Sequence, residues 1–155
     1  MKNQLVYLLL LLFTGCKSNL NTGEEITVKF IANRKKFEQL VYELNNNPAI
    51  DSLYKSSKSG GVKASDFPHV ISLQLSKLDI SSVYIYAGCI NPIKPLYIFS
   101  TNWNAKTPVM VVNNPCDSIN TINKYYHKDE YNNEIWGIGD FWFIQKNAKP
   151  LIPLD

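Results

Sequence analysis

The chain has 155 residues, 45% of them hydrophobic and 19% charged, with a formal net charge of +3. That length and apolar share suffice for one domain with its own core and exclude wholesale disorder. The charges are scattered, and the densest basic run, Arg34-Lys35-Lys36, reads as the solvated face of a helix; nucleic acid is excluded as a partner.

The first element is a leader. Lys2 is followed by nine apolar residues, Leu5 to Phe13, and then by Thr14-Gly15-Cys16. As a helix that run rises about 13 Å, less than half of a hydrocarbon core of about 30 Å, so it is too short for a comfortable span. A positive start, a short apolar run and small residues form the pattern of a secretory signal. The stretch Leu12-Phe13-Thr14-Gly15-Cys16 resembles the lipobox of bacterial lipoproteins, with Phe13 where a smaller aliphatic residue is usual. The resemblance implies a signal peptide over residues 1–15 and a mature chain that starts at Cys16. Its thiol would carry diacylglycerol, and further acyl chains such as palmitate would hold the protein on a membrane at about 0.8 kcal/mol per buried methylene. Residue 17 is Lys, not the Asp that retains lipoproteins in the inner membrane, which implies the outer membrane of a Gram-negative envelope. Residues 16–25 are polar and turn-rich, and the composition predicts a flexible tether.

Residues 26–155 read as one domain. The weak alternation of 26–31 predicts a short first strand or a lead-in. Asn33 is placed to cap a helix whose apolar stripe is Phe37, Leu40, Val41 and Leu44, with Asn45-Asn46-Asn47-Pro48 as its stop. Residues 51–64, rich in Ser, Lys and Gly, predict a loop. Asp66 caps the next helix, with Pro68 in its first turn, and Phe67, Val70, Ile71, Leu75 and Leu78 form its buried face. Asp79 suits a left-handed C-terminal conformation. Three β-branched and aromatic runs follow, at 83–87, 96–100 and 109–112. A short helix is predicted from Asp117 through Tyr126, and a last strand over 141–145 is entered through the turn Gly137-Ile138-Gly139-Asp140. The tail from residue 149, with two prolines, reads as irregular.

This order predicts an α+β fold: two N-terminal helices packed on one face of a small antiparallel sheet, with a short helix before the last strand. The layout loosely resembles small uncharacterised bacterial secreted proteins, and that resemblance carries no functional residues.

The chemistry is sparse. Beyond Cys16, the pair Cys89 and Cys116 suits a disulfide in an oxidising envelope, closing a loop worth about 3–4 kcal/mol; two buried free thiols are the alternative. No third Cys or nearby His points to a metal, and no cofactor motif is present. His127 beside Asp129 and Glu130 can be written as a base with its orienting carboxylate, but no serine elbow accompanies it, so no catalytic residue is assigned. Alternation places Val83, Ile85, Ile98 and Val111 on one sheet face and Tyr84, Tyr86, Tyr97 and Phe99, with Trp142, on the other. That aromatic side is either a binding surface or cross-strand core. Trp103, at a turn tip, either folds back on the core or anchors a partner. The expectation is a non-enzymatic, membrane-anchored envelope lipoprotein that binds another macromolecule, as an inhibitor, immunity or accessory protein. A glycan- or lipid-binding module and, behind it, a small envelope hydrolase using His127 are the alternatives.

Overall fold

A computed structural model describes residues 22–50, 52, 53, 61–90, 93–104, 107–116, 126–129 and 132–146. The leader, Cys16, the body of the short helix predicted before the last strand and the tail lie outside the described residues. The fold is α+β: two helices and an antiparallel sheet.

Helix α1 spans Thr22–Asn45. It absorbs the predicted strand at 26–31 and the last four residues of the predicted tether, and Asn33 lies inside it rather than at its start. The pattern Ile26-Val28-Phe30 satisfies a strand's alternation and a helix's four-residue spacing equally well. Burial separates the two: Ile26, Phe30, Phe37, Leu40 and Leu44 are buried on one helical face, while Val28 is 65% exposed. Asn33 Nδ2 donates to the Lys29 carbonyl at 2.9 Å, a bond made within the helix rather than a cap. Glu24 and Glu25 lie in the first turn, where carboxylates favour the dipole. Gly23 lets the helix approach the sheet, since a Cβ there would stand 2.1 Å from a ring carbon of Trp136.

Helix α2 spans His69–Lys77. Its N-cap is Pro68, without a side-chain capping bond, and Asp66 belongs instead to a 3-10 turn, Ala64–Asp66. Phe67, Ile71, Leu75 and Leu78 are buried as expected, but Val70 faces outward. Phe67, Ile71 and Leu75 recur every four residues and take the inner stripe, which turns Val70 away. Asp79 has φ 57°, the left-handed end expected from its sequence.

The strands are β1 (Val62–Lys63), β2 (Ile80–Ile90), β3 (Ile93–Thr101), β4 (Val109–Asn113), β5 (Tyr126–Lys128), β6 (Glu134–Gly139) and β7 (Trp142–Lys146). They hydrogen-bond in the order β1-β2-β3-β4-β7-β6-β5, every pair antiparallel; β1 has only two residues. Tyr126, expected to end a helix, opens β5, and Gly137 to Gly139, expected as a turn, belong to β6. The turn falls on Asp140 and Phe141, both at positive φ (50° and 69°), as a two-residue hairpin requires.

Register overturns the expected division of the sheet's faces. Val83 pairs with Phe99 and Ile85 with Tyr97, so these four side chains share one side, and Phe99 in turn pairs with Val111. Together with Trp142 and Ile144 they join the cluster formed by Phe30, Phe37, Leu40 and Leu44 of α1 and Ile71 and Leu75 of α2. Phe37 meets Phe99 at 5.6 Å and Trp142 at 5.9 Å between ring centroids, and Phe30 meets Trp142 at 5.3 Å. A second, smaller cluster holds Ile98, Met110 and Val112, with Tyr84, Tyr86, Leu96 and Phe143 packed against it.

Candidate functional site

The aromatic residues that the sequence placed on one face, as a binding surface or as cross-strand core, do not share a face. Tyr97 and Phe99 are fully buried in the main core. Tyr84 and Tyr86 are half-buried on the opposite side, and the Tyr84 ring lies over Gly61, where a Cβ would meet it at 2.9 Å. Burial, then the neighbouring Tyr84, pushes the Tyr86 phenol above its ordinary value. Trp103 folds back: its Nε1 donates to the Leu78 carbonyl at 2.9 Å, its ring stands edge-on to Phe37, and Lys29 Nζ lies 5.0 Å from its centroid.

The histidines are dispersed. His69 opens α2 and is exposed, and His127 sits in β5 opposite Ile135 rather than in a loop. Of the two carboxylates that could be written beside it, Asp129 accepts from Asn133 N at 2.8 Å and Asn133 Nδ2 at 2.7 Å, and Glu130 lies outside the described residues. Among the described residues no three metal-ligating side chains gather. Cys89 lies within β2 opposite Lys94, not past its end. Cys116, in the turn after β4, is disulfide-bonded.

What sequence reasoning missed is a cavity of about 620 Å³ between the end of α1 and one end of the sheet. Its lining comprises Val41, Leu44, Asn45, Asn46, Asn47, Pro48, Ile50, Pro95, Tyr97, Asn113 and Pro115. The helix ends here because Pro48 lacks an amide hydrogen, which leaves the three asparagines to finish the last turn. Tyr97, although buried in the core, reaches the rim with its hydroxyl and donates to Asn45 Oδ1 at 2.9 Å. Burial raises the Tyr97 pKa, so the phenol stays a neutral donor. Asn46 Nδ2 donates to the Tyr42 carbonyl at 2.7 Å, and Asn47 Oδ1 accepts from Ala49 N at 2.9 Å. The far rim is braced as well: Asn114 N donates to the Phe141 carbonyl at 2.9 Å, and Asn114 Oδ1 accepts from Cys116 N at 3.1 Å. Among the described lining residues Tyr97 is the one ionisable group. The signal in the sequence was the pair of segments Asn45-Asn46-Asn47-Pro48 and Asn113-Asn114-Pro115, each legible alone only as a stop or a turn.

A smaller groove of about 350 Å³ lies between the helices, lined by Lys35, Lys36, Gln39, Gln74, Lys77 and Leu78. Beside it Glu43 accepts from Gln39 at 2.9 Å and Gln74 at 2.6 Å, and these hydrogen bonds hold its carboxyl below the ordinary value.

Comparison with protein-family models, with curated proteins and with solved structures finds no match. Among the described residues no helix is long and apolar enough to cross a membrane.

Proposed function

We propose that the protein is a non-enzymatic lipoprotein of the bacterial envelope, acylated on Cys16, which binds an envelope macromolecule at the cavity between α1 and the sheet. The observation that carries the binding reading is the chemistry of that cavity. Among the described lining residues, four side-chain amides, three prolines and one neutral phenol can hold and orient a ligand, whereas acid–base or nucleophilic catalysis needs groups of another kind. Holding without turnover suits an inhibitor, an immunity protein or an accessory subunit.

The anchor reading rests on the leader. Five residues separate Cys16 from the first residue of α1, a reach of at most about 20 Å. The domain would therefore ride close to the bilayer, most simply on the outer membrane. With Cys16 acylated, the disulfide on Cys116 falls to Cys89, the third cysteine of the chain. In this reading α1 and α2 lie together on the face that carries Phe99 and Trp142, and the cavity opens where α1 runs out.

The test is retention of solubilised envelope material on the immobilised full-length protein, compared with Asn47→Trp, which fills the cavity from its rim. Both protein and sugar are assayed in the bound fraction. The wild type is expected to retain material that the variant releases; equal retention by both, or none by either, contradicts the reading.

A further inference from the structure

We propose that the cavity takes an uncharged sugar, a stretch of neutral envelope glycan; this rests on the reading above and names its ligand. The argument is a hydrogen-bond inventory. Asn45 and Asn47 each commit their Oδ1, to Tyr97 Oη and Ala49 N, which leaves both Nδ2 groups as donors. Asn46 commits its Nδ2 to the Tyr42 carbonyl, which leaves Oδ1 as an acceptor. Asn113, on the facing strand, offers an amide with both functions. Among the described lining residues these amides therefore offer both donors and acceptors, and none of them is charged.

A hydroxyl is donor and acceptor at once, so a row of sugar hydroxyls satisfies such a rim at every position. An ionic ligand would find no charge to pair with among the described lining side chains, whereas hydroxyls can use both functions of the amides. The floor is apolar, formed by Val41, Leu44 and Ile50, and suits the C–H faces of a pyranose. The volume falls in the range of about 300–1,000 Å³ usual for small-ligand sites. A peptide adding as a strand has no edge to join here, because β3 and β4 are each paired on both sides. The committed halves of the amides hold the free halves in place, which lowers the ordering cost of binding.

The experiment titrates the full-length acylated protein, held in a detergent without sugar groups, with cellotetraose, maltotetraose, mannotetraose and chitotetraose. Asn47→Ala and Asn113→Ala are measured beside the wild type, with thermal melting as the check on folding. At least one tetrasaccharide is expected to bind the wild type, and each substitution to weaken it about three- to tenfold, with the melt unshifted in Asn113→Ala and lowered only modestly in Asn47→Ala, which loses the bond from Ala49 N. If no tetrasaccharide binds, or if both variants bind like the wild type, the sugar assignment is overturned. A protein retained through the cavity while every sugar fails would overturn the sugar and leave the binding function standing.

Discussion

Val83, Ile85, Tyr97, Phe99 and Trp142 belong to the larger core cluster, whereas Tyr84, Tyr86, Leu96, Ile98 and Phe143 gather around Met110 and Val112 in a smaller one. Both clusters mix aromatic with aliphatic residues, yet Tyr97 and Phe99 are fully buried whereas Tyr84 and Tyr86 are only half-buried. Chemistry sorted by residue type therefore does not distinguish core from surface here. What distinguishes them is register: a single pairing, Val83 with Phe99, sends one aromatic pair inward and the other outward.

Four sets of substitutions break or sharpen that contrast, and the largest effect is expected at Phe37. Its ring lies within 6 Å of four others, those of Phe30, Phe99, Trp103 and Trp142. Phe37→Ala should cost about 3–5 kcal/mol in urea unfolding, and a loss below about 1 kcal/mol would mean that this ring cluster does not carry the core. The two packed glycines compare the sides directly. Gly23→Ala forces a methyl into the Trp136 ring and should destabilise by about 1–3 kcal/mol. Gly61→Ala meets the half-buried Tyr84 ring at 2.9 Å and should cost less, because the overlap is smaller than the 2.1 Å approach at Gly23. Equal costs in thermal melts would remove the distinction.

The tyrosines give a finer comparison. Tyr97→Phe deletes the bond to Asn45 and should lose about 1 kcal/mol, whereas Tyr86→Phe should stay within about 0.5 kcal/mol. The smallest effect is electrostatic. Glu134 takes a 3.0 Å bond from Lys146, which is the main reason its carboxyl titrates below the ordinary 4.5, with Lys128 adding to it. A depressed carboxyl contributes stability that is present above pH 4.5 and lost as pH falls through the lowered folded value. Glu134→Gln should remove about 1 kcal/mol at neutral pH and flatten the stability profile across that window; an unchanged acid limb would contradict the pairing.

The same contrast explains how much was legible beforehand. The α+β class, the runs that became β2, β3 and β4, the stop at Pro48 and the left-handed Asp79 were all written in local propensity. The first half of α1 was not, because Ile26-Val28-Phe30 fits both periods and only the packing of Ile26 and Phe30 selects the helix. Strands β5 and β6 were hidden because His127 and Glu134 sit among polar residues and Gly137 and Gly139 imitate a turn. The cavity was invisible in one dimension, since its two asparagine segments meet only when β4 pairs with β3 beneath the end of α1.

The function reading stands on an anchor that a single measurement tests. The intact mass of the mature chain purified from envelopes should correspond to a polypeptide that begins at Cys16 and carries acyl chains, with Cys16→Ala releasing the protein from the membrane. A mature chain without lipid on Cys16, or one that keeps residues 1–15, would contradict the account.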